Sequence, residues 1–379
     1  MALHEPEFGG NEWAYVKRCL DEGMVSSIGG FVERFEKALV DYTGAGHAVA
    51  VVNGTAALHV CLRLVDVQPG DEVLVPALTF VATANAVRYC GAEPHFIDSS
   101  ETTLGVDPHR LDAYLREIAD VRGDGCINRR SGRRIRAVVA MHTFGHPVEL
   151  DALVDVCQRF RLELVEDAAQ SLGSFYKGRH TGNWGKVSAL SFNGNKIVTT
   201  GGGGAILTSD ATVAARAKHL TTTAKIPHHW TMEYDEVGFN YRLPNINAAL
   251  GCAQLEQLPD FVTRKRALAE RYRAALAGVN GVRFFVEPAQ TQSNYWLNAL
   301  LVEQGGIARR DELLTLTHAQ GLGTRPVWTL LHRLPMYRGC PRMELSVAER
   351  LEASVINLPS SAALCRADAS RSATQRRST

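Results

Sequence analysis

Four short segments carry residue types that bind or react with small molecules. Ser191-Phe192-Asn193-Gly194-Asn195-Lys196 places one lysine in a loop of small residues, followed by Thr199-Thr200 and four glycines, 201–204. An amine held out of water loses basicity, because burial disfavours its charged form, and a neutral amine condenses with an aldehyde to an imine. Taken alone, such a lysine reads by far more readily as a solvated surface cation, and the glycine run either lets the backbone approach a flat ligand or merely forms a flexible turn. Val165-Glu166-Asp167-Ala168-Ala169-Gln170 closes an apolar run with two acids and an amide. A carboxylate in that position either faces a ligand or caps a helix. Asn53-Gly54-Thr55-Ala56 stands where a strand turns into a helix. Free N–H groups at a helix N-terminus, with a hydroxyl beside them, make an anion site. The plainer alternative is a threonine cap after an Asn-Gly turn. The segment is neither a Walker loop nor a G-x-G-x-x-G fingerprint. Gly238-Phe239-Asn240-Tyr241-Arg242 joins an amide and a guanidinium to aromatics. Its arginine fork suits a phosphate or carboxylate, or packs at a subunit contact.

The elements that must hold these segments follow from apolar periodicity. Residues 11–23 read as a helix stopped by Gly23, and 30–43 as a second. AVAVVNG (48–54), EVLVPAL (72–78), EPHFID (93–98), RIRAVVAMH (134–142) and ELVEDAA (163–169) are short apolar runs. Helical stretches alternate with them, including TAALHVCLRLV, TFVATANAVRYCG and 149–160. That alternation predicts a mostly parallel sheet covered on both faces, with ligands at the carboxyl ends of its strands. VSALSFN and GGAILTS break the rhythm, as two strands joined by a loop. After 245 a long helical stretch contains Pro259, where a break or kink is expected. Smaller alternating segments after about 280 suggest a second domain. The expected division is a large domain, 1–255, a smaller α+β domain, 256–365, and a disordered tail, 366–379.

Composition sets the class. The chain has 379 residues, and at about 150 per domain this allows two or three units. Lys plus Arg is 41 against 40 Asp plus Glu, so the formal charge of +1 argues against wholesale binding to nucleic acid or a membrane surface. Eight cysteines lie singly, with no C-x-x-C pair, so neither a disulfide framework nor a metal site is expected. They read as small buried apolar residues. The first residues lack the basic start and apolar core of a signal peptide, and no run of about 18 apolar residues is present. A soluble cytoplasmic protein is expected.

In order along the chain, NGTAAL (53–58), DEVLVPALTFVATANAV (71–87), LVEDAAQSLGSFYKGRHTGNWG (164–185), SFNGNK (191–196), TTGGGG (199–204) and GFNYRLPNINAALGCAQLEQL (238–258) resemble the DegT/DnrJ/EryC1/StrS family. The resemblance covers about residues 8–360, and the tail after about 365 departs from it. It implies a pyridoxal 5'-phosphate-dependent sugar aminotransferase of fold type I, the aspartate aminotransferase-like α/β fold. Lys196 matches the lysine that bonds the cofactor, and Asp167 the acid that pairs with the ring nitrogen and keeps it protonated. Gly54, Thr55, Ala56 and Ser191 match the phosphate cup. Phe80 matches the aromatic that stacks on the ring, with Gln170 packing near the other face. Asn240 matches a residue reaching the neighbouring subunit's phosphate site, which implies a homodimer with shared active sites. Some family members are dehydratases with histidine at the lysine position; Lys196 favours transamination. The same residues weigh against a cofactor- or sugar-binding regulator, and the missing glycine fingerprint against a nicotinamide oxidoreductase.

MVSSIGGFVERFE (24–36) and TRPVWTLLHRLPMY (324–337) look like the subgroup handling UDP-linked 4-keto-6-deoxy-N-acetylhexosamines, on routes to bacillosamine or legionaminic acid. The implied activity moves an amino group from L-glutamate to the keto carbon of that nucleotide sugar. Ser27, Arg325 and Trp328 are the substrate-side candidates; as structure alone they are a helix cap, a surface cation and a core indole. His142 and His146, in AMHTFGHP, either line the entrance or, as loop histidines more often are, serve the structure.

Overall fold

The computed structural model describes residues 1–123 and 125–365; the tail expected to be disordered lies outside them. The apolar runs between 47 and 208 are strands of one sheet. Across it they stand in the order His47–Val51, Gly204–Thr208, Val187–Ser191, Glu163–Asp167, Arg134–Met141, Glu72–Pro76, Glu93–Ile97. Neighbouring strands are parallel except Gly204–Thr208, which is antiparallel to both strands beside it. That strand follows Val187–Ser191 through the loop 192–203, which holds no crossover helix, and returns antiparallel to it. Helices Gly54–Leu64, Val81–Tyr89, Pro108–Ile118 and Leu150–Phe160 lie in four of the crossovers, and residues 168–186, which carry the short strands Phe175–Tyr176 and Arg179–His180 instead of a helix, make the one into Val187–Ser191. The shared strand direction brings the ends at Val51, Pro76, Met141, Asp167 and Ser191 to one edge, the edge where ligands collect in such sheets.

Two features differ from the sequence expectation. Ala119–Arg122 and Gly125–Asn128 form a hairpin that adds antiparallel to Arg134–Met141. The helix Asn245–Leu276 runs on through Pro259 without a break. Proline removes one helical N–H and costs about 3 kcal/mol in an isolated helix. Here burial on both sides of it offsets that cost. Ala248, Cys252 and Leu255 are buried before it, and Phe261, Leu268 and Ala269 after it. The earlier half packs on Glu12–Asp21 and Gly30–Thr43, closely enough that a Cβ on Gly251 would lie 2.5 Å from the Phe35 ring.

Beyond the long helix, Val282–Phe284, Asn298–Val302, Val355–Leu358 and Arg325–Pro326 form a four-stranded antiparallel sheet. Helices Gly306–Ala319 and Ser346–Ser354 pack on it. Asp98, just past the end of Glu93–Ile97, accepts the backbone N–H groups of Val347 (3.2 Å) and Ala348 (2.8 Å). It thereby caps Ser346–Ser354 and ties the two sheets together. All eight cysteines are buried. Among the described residues no helix is long and apolar enough to cross a membrane.

Candidate active site

Around a cleft of about 340 Å³ at the carboxyl edge of the main sheet stand Gly54, Thr55, Phe80, Asp167, Gln170, Ser191, Lys196 and Trp328. One corner is the N-terminus of Gly54–Leu64. The first N–H groups of a helix have no intrahelical partner, and the Asn53 Oδ1 takes that of Ala56 at 2.8 Å. Gly54 and Thr55, whose amides have no intrahelical partner, line the cleft beside Ser191. Ala56 itself does not line the cavity. Glycine at 54 is a geometric demand, because a Cβ there would sit 2.8 Å from Ser191 Cβ and 3.1 Å from its Oγ. Gly204 is demanded in the same way, since its Cβ would fall 2.5 Å from the Asn53 carbonyl. The glycine run thus lets a strand press against the helix start.

Asp167 ends its strand buried, 3% exposed. Its Oδ2 accepts the Thr83 hydroxyl at 2.8 Å, and its Oδ1 the Ala169 N–H at 3.2 Å. Burial pushes this carboxyl above its ordinary range, while the Thr83 hydroxyl and the Lys196 charge pull the other way. A buried acid with two donors, open to a cleft, lacks a full cationic partner. A protonated ring nitrogen would supply one.

Lys196 keeps part of its surface open to the cleft, while its amine lies over the Trp296 ring, 4.2 Å from the centroid. Enclosure of the amine draws its pKa down to about 8, against the pull of Asp167. An amine so poised is partly neutral near physiological pH and fit for imine chemistry.

Aromatics close the remaining sides. Trp328 packs on Phe144 (centroids 5.2 Å) and Phe80 (6.4 Å), and Phe80 is 49% exposed. Gln170 is buried, its Oε1 accepting the Phe144 N–H at 2.8 Å.

Asn240, Ser27 and Arg325 stand outside this cleft. Asn240 and Arg325 are exposed, and the Ser27 carbonyl accepts Arg242 at 2.7 Å. His142 and His146 are fully buried and do not line it. The His142 Nε2 pairs with Glu166 at 3.1 Å, on the strand residue before Asp167, where alternation points the side chain away from the Asp167 face. Glu166 also accepts the backbone N–H groups of Gly182, Trp184 and Gly185, each at 2.7 Å, so this acid holds a turn rather than a ligand. Trp296, Thr83 and Met141, at or beneath the cleft, were not singled out from sequence, and Asn193 and Asn195, inside the lysine segment, were given no role of their own. Away from the cleft, His219, Asp235 and Glu236 bring ligand atoms within 4.8 Å of one another, but Arg216 already pairs with Glu236.

A lysine, a buried acid and a helix start meeting at the carboxyl edge of this sheet suit a pyridoxal phosphate-dependent enzyme. The sequence profile of the DegT/DnrJ/EryC1/StrS aminotransferase family matches residues 6–375, reaching ten residues past 365, where the tail was expected to depart, and the chain belongs to that family. The GDP-perosamine synthase of Caulobacter vibrioides is 36% identical over 374 residues, spanning 98% of this chain and 96% of that protein. Among solved structures, the aminotransferase TlmJ of Streptoalloteichus hindustanus superposes with a TM-score of 0.85 at 30% identity, covering 95% of this chain and 93% of its own. DesI, solved in the presence of its TDP-sugar product, gives a TM-score of 0.83 at 29% identity, covering 95% of this chain and 87% of its own. The protein is a sugar aminotransferase that uses pyridoxal phosphate, with a sugar nucleotide and an amino donor as substrates.

Proposed function

We propose that the protein transfers the amino group of L-glutamate to the keto carbon of a nucleotide-linked 4-keto-6-deoxy sugar, for glycan synthesis. The donor leaves as its 2-oxo acid and the sugar as a 4-amino sugar nucleotide. The observation that carries this is the meeting of the Lys196 amine, the buried Asp167 carboxyl and the Gly54 helix start in one cleft. Bound pyridoxal phosphate supplies the carbonyl that carries the amino group and a ring that accepts electrons. Gly54 and Thr55 amides with the Ser191 hydroxyl hold its phosphate; Ala56 stands one residue deeper, its amide engaged by Asn53. Asp167 keeps the ring nitrogen protonated, Phe80 and Gln170 bracket the ring, and Lys196 bonds the cofactor. When released, the Lys196 amine takes and returns the proton at the reacting carbon.

The cleft then lies between a cofactor-binding unit, 1–255, and a smaller unit, 256–365, from which Trp296 and Trp328 reach in. Asn240, exposed and outside its own cleft, serves the cleft of a second copy. The exposed Trp13, Leu20, Met24, Val25 and Ile28 provide apolar surface for that copy to cover. Ser27 and Arg325 meet substrate only in that assembly.

For the acceptor, the resemblance of 24–36 and 324–337 supports a UDP-linked N-acetylhexosamine, and the Caulobacter relative's name supports a GDP-linked sugar. We carry the UDP-linked reading forward. Purified protein incubated with glutamate and a panel of 4-keto-6-deoxy sugar nucleotides decides it by product mass. Amination of the UDP-linked N-acetyl compound is expected. Turnover of the GDP-linked sugar alone reverses the nucleotide assignment, and no amination of any member refutes the acceptor class.

A further inference from the structure

Trp296 grips the loop that presents Lys196 from the far side of the cleft. It belongs to the segment leading into Asn298–Val302, a hundred residues further along the chain. Its indole N–H donates to the Asn195 carbonyl at 2.8 Å, and the Lys196 Nζ stands over its ring. Its backbone is pinned at both ends. The Trp296 N–H donates to Asn294 Oδ1 at 2.8 Å, and the Asn294 Nδ2 in turn donates to the carbonyls of Gln170 and Leu172, both at 2.9 Å. The Trp296 carbonyl accepts the amine of the fully buried Lys265 at 3.1 Å. One indole thus joins the lysine loop to the loop that follows Asp167. The need is physical, because a lysine stem has four free torsions and loses about 2 kcal/mol of rotamer entropy when fixed. Its own loop, Asn193-Gly194-Asn195, is small and at least partly exposed.

We propose that Trp296 is a positioning residue for the Lys196 amine, its indole N–H fixing the loop at Asn195 and its ring face steadying the ammonium. This rests on Lys196 being the reacting amine, as set out above. The charged and titratable groups facing that amine are Asp167 across the cleft and, on the other side, His4, itself close to Lys265 and to the Asn195 carbonyl. None of them changes in the variants below, so a shift in the titration of Lys196 reports on the ring.

The test is competitive acetylation of Lys196 in cofactor-free full-length protein, read by peptide mass across the neutral and alkaline range. The ring stabilises the charged form, so Trp296→Leu lowers the labelling pKa of Lys196 by about 0.7 unit, equivalent to about 1 kcal/mol. Trp296→Phe keeps a ring face and recovers at least half of that shift. Having lost the indole N–H, it takes up pyridoxal phosphate about fivefold more slowly, the factor matching one hydrogen bond. If the leucine variant fails to fold, the phenylalanine variant carries the test alone, with its titration displaced by no more than about 0.35 unit and its uptake slowed. Wild-type titration in Trp296→Leu, a displacement in Trp296→Phe of more than half the shift expected for leucine, or unslowed uptake in Trp296→Phe overturns the proposal. Failure of the aminotransferase reading is distinguishable, because it leaves the labelling curves as they are and removes only turnover.

Discussion

Thr83→Val removes a single hydroxyl from beneath the cleft and nearly preserves volume. Thr83 is 1% exposed, so no solvent donor replaces the one lost. Its hydroxyl is the side-chain donor to Asp167 Oδ2, at 2.8 Å, and the Ala169 N–H at 3.2 Å remains. A hydrogen bond to a charged group contributes about 1.5–3 kcal/mol, and each 1.36 kcal/mol is tenfold in rate. The upper bound is therefore a loss of roughly 150-fold. Because a protonated ring nitrogen and Ala169 still favour the carboxylate, the expected fall in kcat is about tenfold, the lower end of that range. Burial already raises the Asp167 pKa, and losing the hydroxyl raises it further. The acid limb of the kcat profile therefore moves to higher pH. Steady-state kinetics against pH, with cofactor occupancy read from absorbance, checks both, and Thr83→Ser restores the wild-type profile. Unchanged kcat together with an unmoved acid limb would show that Asp167 does not act as an anion held by Thr83.

Gly54→Ala pushes a methyl to within 2.8 Å of Ser191 Cβ; at about 1–3 kcal/mol for overpacking, cofactor affinity falls at least fivefold by titration. Glu166 is held below its ordinary pKa: burial raises it, but His142 and the Gly182 and Gly185 amides outweigh that. Its contribution to stability is present above the unfolded carboxyl pKa and is lost as pH falls through the lower folded value. Glu166→Gln therefore costs about 3 kcal/mol in denaturant melts at neutral pH and flattens the acid side of the stability curve; an unaltered acid side refutes the pairing. For the shared site, mixing Lys196→Ala with Asn240→Ala subunits, each inactive as a homodimer, restores activity if Asn240 acts in the partner's cleft, because one site in each mixed dimer then carries neither lesion. No recovery on mixing contradicts that placement.

The cleft's strand-end residues could be read from sequence because each belongs to a compact local motif. Asn53-Gly54-Thr55, Asp167 and the Ser191–Lys196 loop lie where a β-branched run meets small polar residues, and a parallel sheet gathers such ends at one edge. Trp296, Trp328 and Thr83 behave differently. Trp296 carries no local signal, because its role depends on an indole reaching Asn195 across a hundred residues of chain. Trp328 suggested a core indole as readily as a wall of the cleft. Thr83 looks like any helical threonine until the sheet sets it beneath Asp167. The hairpin at Ala119–Asn128 was hidden by its short, charged, glycine-containing composition; pairing with Arg134–Met141 makes it strand. Pro259 misled in the opposite way, as a local breaker overruled by burial on both sides of it.

The central claim is that Lys196 is the amine that bonds the cofactor, and the structure supplies its own rival. Lys265 is also buried, with its pKa drawn down to about 7, but its amine is tied to the carbonyls of Trp296 and Ser360. Borohydride reduction of the purified, cofactor-loaded protein followed by peptide mass mapping separates them. The pyridoxyl group is expected on Lys196 alone, in the peptide containing SFNGNK. The group on Lys265 or any other lysine would contradict it.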